Sequence, residues 1–250
     1  MDPALTQISA SNVHAPRTQL AIETLAAAAA ELGFDGFAAV AWIPCPASKP
    51  IPCVMSNLHD DWLARYSGER DAATDPAVIW CKTHGAPLVW SEEISSHRPM
   101  LKHGHPLQGP SHGWSVAVRD ALGVPGMFSL VRASRPVGAD ELANKQLAMQ
   151  VLALRGHRML LSDWRARWNT TAGEALTSRE VEVLRWAADG KTALDTAAIL
   201  EIGLSTVRFH ISNAVRKLKT DNIAAAVFRA LVLGLLHGLP NLPAEADGKP

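Results

Sequence analysis

The sequence predicts an α+β chain, with an N-terminal α-β-α sandwich followed by an all-α domain of four helices. Apolar runs of strand length alternate with helical segments up to about residue 165, whereas only helical periodicity continues after about residue 176. Between them, Asn169-Thr170-Thr171-Ala172-Gly173 interrupts the pattern with residues that favour turns. We therefore expect domains at residues 18–165 and 176–237, joined by a linker at 166–175.

The first domain alternates helices with pairs of strands. An amphipathic segment at 18–32 ends at Gly33, which suits a helix C-cap. Asp75 followed by Pro76 suits a helix start, because aspartate caps free N–H groups and proline fits the first turn. The remaining elements are predicted as strands at Gly36–Ile43, Ile51–Ser56, 113–119 and 126–132 and helices at 59–66, 76–84 and 139–165.

The second domain begins with a capping box, Thr177-Ser178-Arg179-Glu180, in which the first and last side chains each accept from the other's backbone N–H. Helices are predicted at 179–188, 193–200, 205–218 and 223–235. A short turn around Ile202-Gly203-Leu204 separates the second helix from the third. Two short helices and a tight glycine turn are the ingredients of a helix-turn-helix.

The third of these helices carries charge of one sign. Its apolar residues recur at helical spacing and predict a buried stripe formed by Val207, Ile211, Val215 and Leu218. Between residues 202 and 220 there are four lysines or arginines and no acidic residue. A solvated basic face would explain the charge alone equally well. Together with the turn and the preceding helices, the pattern indicates a helix for the major groove of DNA, where cations approach phosphates and polar side chains read base edges.

Several segments of this domain carry a family resemblance: Leu176-Thr177-Ser178-Arg179-Glu180, residues 183–192, Thr206-Val207-Arg208-Phe209-His210-Ile211 and Lys217-Leu218. They resemble the DNA-binding domain of LuxR-type quorum-sensing regulators over about residues 174–236. The resemblance implies double-stranded operator DNA as a partner, with Arg208 and Ser212 facing bases. The predicted DNA-binding set adds Thr192 and Ser205 to phosphate-proximal Lys191, Thr206, Asn213, Arg216 and Lys217.

Aromatic and acidic residues follow one another along the first domain in a defined order. Trp62 and Tyr66 are four residues apart and would share one helix face. Taken singly, such a pair fits core packing, and Asp75-Pro76 fits a helix cap. In order with Trp90 and Gly113, these residues resemble the autoinducer-binding domain that accompanies this DNA-binding domain, over about residues 18–162.

The ligand of that family is an N-acyl homoserine lactone, and the resemblance implies a role for each residue. Trp62 would donate to the lactone carbonyl and Asp75 would accept from the amide N–H, while Tyr66 and Ser129 would donate toward the acyl carbonyl. Such partners matter because a buried unpaired polar group costs ~1–3 kcal/mol. Trp90 would pack on the ring. The acyl chain would lie in an apolar slot formed by Ala38, Val40, Val78, Cys81 and Met127.

Composition limits the other classes of function. Lysine plus arginine and aspartate plus glutamate each number 24, so the charge of the whole chain alone predicts no polyanion partner. This average hides the local excess of positive charge in the third helix of the second domain. The three cysteines fit neither a disulfide framework nor a zinc site, and the histidines between 97 and 112 fit no standard metal site. Without a signal peptide, a membrane-spanning stretch or a catalytic motif, we expect a cytoplasmic protein that is not an enzyme and holds no metal or cofactor.

The leading hypothesis is a homodimeric quorum-sensing transcription regulator that binds a small acylated signal in the first domain and a palindromic operator through the second. One alternative is an enzyme, fused to a DNA-binding domain, that hydrolyses acylated signals; consumption of ligand would favour it. Another is a ligand-independent or orphan regulator controlled by a partner protein or a different small signal. Folded, operator-binding protein made without any signal would favour that alternative.

Overall fold

The structure, a computed structural model, describes residues 16–58, 75–91 and 112–236, with backbone only at 169–172. The chain divides into two compact units, Met1–Trp168 and Asn169–Pro250. The first contains a sheet with helices on it and the second is helical, which confirms the predicted fold class. No helix within the described ranges has the length and apolar character needed to cross a membrane.

Antiparallel strands in the order β2-β1-β5-β4-β3 form the sheet of the first unit, as far as the chain is described. The strands are β1 (Gly36–Ile43), β2 (Ile51–Ser56), β3 (Leu88–Trp90), β4 (His112–Arg119) and β5 (Pro125–Arg132). The accompanying helices are α1 (Pro16–Glu31), α2 (Pro76–Thr83) and α3 (Ala139–Ala172).

Alternate side chains of β1 and β5 point to opposite faces of the sheet. On one face Phe37 stacks on Phe128 with ring centroids 5.7 Å apart. Helix α3 lies close against this face, since a Cβ added at Gly156 would come within 2.5 Å of the Phe128 ring. Thr18 of α1 donates to Asp163 Oδ1 of α3 at 2.8 Å, so the two helices form one layer.

A buried ion pair holds the start of α3 against the sheet. Arg132, whose side chain is 1% exposed, donates to both carboxylate oxygens of Glu141, at 2.6 and 2.8 Å. Lys145 donates to the same carboxylate at 2.9 Å. These hydrogen bonds, that of Arg132 above all, lower the pKa of Glu141 to about 2.

The opposite face of the sheet is covered by α2. Val78 of this helix packs with Ala38 and Val40 of β1 and with Met127 of β5 in one buried cluster. Register explains the grouping, because Val40 pairs with Met127 and both side chains point to the same side. Helices on both faces complete the α-β-α sandwich.

The second unit packs four described helices: α4 (Ser178–Ala188), α5 (Ala193–Ile199), α6 (Leu204–Lys217) and α7 (Ile223–Val232). The predicted capping box is present, with Thr177 and Glu180 each accepting from the other's backbone. The predicted stripe faces inward, since Val207 and Leu218 are buried and Ile211 and Val215 are partly buried. Helices α5 and α6, with Gly203 as the N-cap of α6, form the helix-turn-helix.

Most described elements lie within three residues of their predicted bounds, and two differences are larger. Strand β3 was not predicted, because three residues are too few for an alternating pattern and only pairing with β4 defines them. Helix α3 continues through 169–172 to end before Gly173, which has φ +81°. Asparagine and threonine disfavour a helix by only a few tenths of a kcal/mol each, and a cost this small does not end a long helix. The helix predicted at 59–66 lies outside the described residues.

Candidate functional site

Asp75 begins α2 and is fully buried on the covered face of the sheet. Its Oδ1 accepts from the backbone N–H of Ala77 at 2.8 Å, and Pro76 occupies the first turn. The cap predicted from the sequence is therefore present. Acceptance from a ligand amide stays a prediction for this carboxylate.

A chain of buried hydrogen bonds runs across β3, β4 and β5. Trp90 Nε1 donates to Ser115 Oγ at 3.0 Å, and the hydroxyls of Ser115 and Ser129 lie 2.8 Å apart. All three side chains are almost completely buried. Ser129 and Trp90 were named from the sequence, whereas Ser115 was missed. Only the pairing of Ser115 with Ser129 across β4 and β5 reveals it.

Gly113 makes room for Trp90. The two residues pair directly between β3 and β4. A Cβ at position 113 would lie 2.3 Å from the indole and 2.2 Å from the Leu130 carbonyl oxygen. Because one of these atoms belongs to the backbone, a larger residue could be accommodated only by moving the strands.

The predicted slot residues lie together on this face. Ala38, Val40, Val78, Met127 and Trp90 belong to one buried cluster, and partly buried Cys81 packs against it. Ala38 pairs with Ser129, which puts the apolar cluster directly beside the hydroxyl chain. The other two predicted contacts, Trp62 and Tyr66, lie outside the described residues.

A cavity of about 720 Å³ adjoins the cluster at the ends of β1 and β5. Trp42 and Cys81 line the cavity and also pack against the cluster, so the two are continuous. This volume lies within the range of ~300–1,000 Å³ that is usual for small-molecule sites. Lys82, another lining residue, places its Nζ 5.7 Å from the centroid of the Trp42 ring.

The second candidate site is the outer face of α6. Ser205, Thr206, Arg208, Ser212 and Arg216 are exposed there, and Asn213 is partly exposed. No acidic residue occurs in the helix. Lys191 and Thr192 are exposed at the start of α5. Thr192 also caps that helix, accepting from the N–H of Asp195.

Two cations of this predicted set bind carboxylates within the unit. Arg216 donates to both oxygens of Glu174, at 2.8 and 3.2 Å, and both side chains are exposed. These hydrogen bonds lower the pKa of Glu174 and raise that of Arg216. Lys217 instead pairs with largely buried Glu180 at 2.9 Å, which gives this lysine a structural role.

The pKa of Glu180 reflects two opposing influences. Burial raises this pKa, but the hydrogen bonds from Lys217 and from Thr177 together lower it by more, so the net shift is downward. The ionised carboxylate therefore joins the start of α4 to the end of α6.

Comparison with family models divides the chain as the geometry does. Residues 18–160 match the model described as "Autoinducer binding domain". Residues 174–230 match "Bacterial regulatory proteins, luxR family".

Individual proteins are similar over nearly the whole length. The transcriptional activator protein AnoR of Acinetobacter nosocomialis is 31% identical over 216 residues, which cover 86% of this chain and 91% of AnoR. The transcriptional activator protein SolR of Ralstonia solanacearum is 31% identical over 212 residues, covering 85% and 90%. The structure of SdiA in complex with octanoyl-rac-glycerol superposes with a TM-score of 0.66 at 26% identity, covering 91% of this chain and 93% of that one.

The fold, the two matched domains and the relatives agree. The chain belongs to the LuxR family of quorum-sensing transcriptional regulators, with an autoinducer-binding domain followed by a helix-turn-helix DNA-binding domain.

Proposed function

We propose that the protein binds an N-acyl homoserine lactone between α2 and the sheet, and that this ligand controls its binding to operator DNA. The hydrogen-bond chain from Trp90 to Ser129 beside an apolar cluster supports this proposal most strongly. Hydroxyls can donate to the acyl carbonyl, and the cluster is a suitable environment for a fatty chain. The complex of SdiA with an acylated glycerol shows a related acyl ligand in a similar protein.

Each polar group of the ligand has a proposed partner. Ser129 donates to the acyl carbonyl, with Ser115 as a neighbour that can exchange partners. Asp75 accepts from the amide N–H while it caps α2. The lactone carbonyl is assigned to Trp62 and the acyl carbonyl also to Tyr66, on the resemblance alone. The acyl chain of the ligand contacts Ala38, Val40, Val78, Cys81 and Met127, and its lactone ring contacts Trp90.

Thermal unfolding with N-octanoyl homoserine lactone tests the site. A ligand at 100 times its Kd stabilises a protein by ~2.7 kcal/mol, so wild-type protein should show a higher Tm. Ser129→Ala should reduce the shift, whereas Ser162→Ala on α3 should not. Asp75→Asn should also reduce it, because asparagine keeps the cap but replaces the carboxylate by a weaker acceptor. An unchanged shift in Asp75→Asn would leave that residue as a cap only.

We further propose that two copies of the chain bind a palindromic operator. Leu147, Val151 and Leu154 form an apolar stripe on α3 in which each side chain is more than half exposed. A second copy related by two-fold symmetry can cover this stripe with the same residues. Such a dimer would present two helix-turn-helix units to half-sites about one helical turn apart. Sedimentation should show a dimer for the wild type and a monomer for Val151→Glu.

In the proposed function, the protein acts in the cytoplasm, where the operator is, and does not consume its signal. Incubating N-octanoyl homoserine lactone with the protein and following the lactone by mass spectrometry tests the second point. Loss of lactone in proportion to protein would instead support an acyl-signal hydrolase.

A further inference from the structure

Phe209 is an exposed aromatic residue on the polar outer face of α6. Its side chain is 62% exposed, while the helix buries Val207, Ala214 and Leu218 on the opposite side. Within the described part of the second unit, the ring makes an edge contact with His210, at 5.7 Å between centroids. The apolar core therefore does not explain why a phenyl group stands here.

Helical geometry places Phe209 in the middle of the outer face of α6, which is the proposed DNA-binding face. At 3.6 residues per turn, Arg216 lies within ~20° of Phe209 around the helix axis, and Ser205 and Asn213 lie ~40° to either side. Leu218, at the core, lies ~180° away. Phe209 is thus more central on this face than Arg208, which stands ~100° to one side.

The surroundings of the ring favour nucleic acid over an apolar protein surface as the partner. Helix α6 contains no acidic residue, and the exposed or partly exposed polar neighbours of Phe209 are hydroxyl, amide and guanidinium groups. Such neighbours would lose hydration without gaining partners against an apolar surface. In the major groove they meet phosphates and base edges, which are hydrogen-bond acceptors.

We propose that Phe209 contacts the C5-methyl group of a thymine in each operator half-site and so helps to determine which base is accepted there. This inference rests on the proposed binding of operator DNA. The methyl group of thymine is the apolar feature of the major-groove edge, and phenylalanine is among the side chains that recognise it. Cytosine and uracil lack this methyl group, so both are disfavoured at that position.

The experiment uses the full-length protein with N-octanoyl homoserine lactone and an operator selected from random duplexes. Each thymine of that operator is replaced in turn by deoxyuridine, which removes only the methyl group and keeps every hydrogen-bonding group. For the wild type, we expect one sensitive thymine in each half-site. Replacing that single thymine should weaken binding about fourfold, the effect of removing one buried methyl group from a contact.

The same replacements are then measured with three variants. Phe209→Ala should bind the thymine and deoxyuridine operators equally, and Phe209→Leu should restore part of the preference. Phe228→Ala, an exposed aromatic on α7, is the matched control and should keep the full preference.

Two results would overturn the inference. One is an operator in which no deoxyuridine replacement weakens wild-type binding. The other is a thymine preference that is the same in Phe209→Ala, in which case the ring serves another contact, such as one with protein. Failure to select any duplex would overturn the proposed function together with the inference, whereas the first two results leave operator binding intact.

Discussion

The two domains each contain a glutamate–arginine pair with two hydrogen bonds, in opposite surroundings. The pair of Arg132 and Glu141 is buried, with side chains 1% and 11% exposed. The pair of Arg216 and Glu174 has similar distances, but its side chains are 60% and 55% exposed. Breaking a buried pair leaves a charge without water, whereas water replaces the partner of an exposed one.

This contrast separates a pair that maintains the fold from one that is available for function. Arg132 cannot leave Glu141 without moving the start of α3. We expect Arg216 to exchange Glu174 for a DNA phosphate, because the guanidinium of Arg216 and the carboxylate of Glu174 are both exposed to water. The two pairs have the same chemistry, so their different exposure predicts different effects. Breaking the buried pair should lower stability, whereas breaking the exposed pair should change DNA binding.

The largest effect is expected for Glu141→Gln. This substitution removes the counter-charge of buried Arg132 and should reduce the free energy of unfolding by ~3–5 kcal/mol. Urea denaturation of the wild type and the variant measures the difference. Glu182→Gln, which removes an exposed partner of Arg179 on α4, is the control and should leave stability nearly unchanged. A small change in Glu141→Gln would show that the buried pair does not maintain the fold.

The second effect is a dependence of stability on pH. The pKa of Glu141 is about 2 in the folded protein and has an ordinary value of 4.5 when unpaired. The unfolded state therefore binds a proton first as the pH falls, and stability is lost progressively from about pH 5 towards pH 2. Urea midpoints across this range should fall less steeply in Glu141→Gln than in the wild type. Parallel curves would contradict this assignment.

The third effect concerns DNA affinity. Arg216→Gln should weaken binding to all sequences severalfold and reduce the slope of log affinity against log salt by about 1. Its thermal stability should stay close to that of the wild type, because the pair with Glu174 is exposed. Electrophoretic or fluorescence titrations at several salt concentrations provide the measurement. An unchanged salt slope would place Arg216 away from phosphates.

The smallest effect is expected for Glu174→Gln. Removing this carboxylate frees Arg216 and takes a negative charge away from the DNA-binding face, so operator affinity should rise by about two- to fivefold at low salt. The gain should vanish in the double variant with Arg216→Gln. A gain that persists without Arg216 would indicate a general charge effect.

The sequence predicted the parts of the molecule whose signals are local. The limits of β1 and β2, the Asp75 cap and the Thr177 capping box all follow from residues adjacent in the chain. Ser115 could not be predicted, because its importance arises from pairing with Ser129 and from contact with Trp90, 25 residues away. Likewise, the engagement of Arg216 by Glu174 joins residues 42 apart.

Apolar character by itself also does not distinguish a buried side chain from an exposed one. Val207 and Phe209 are both apolar and only two residues apart on α6, yet helical geometry places them on opposite faces. The stripe at Val207 could be recognised by its regular spacing. The same spacing puts Phe209 on the side of α6 away from that stripe. Only the packing of the described residues shows that nothing covers the ring there and that it stays 62% exposed.

A crystal structure of the protein grown with N-octanoyl homoserine lactone tests the central proposal most directly. The acyl chain should lie between α2 and the sheet, against Val40 and Met127, with Ser129 within hydrogen-bonding distance of a ligand carbonyl. A closed α2 face filled by the protein's own side chains, with the lactone bound elsewhere or not at all, would contradict the proposed ligand site.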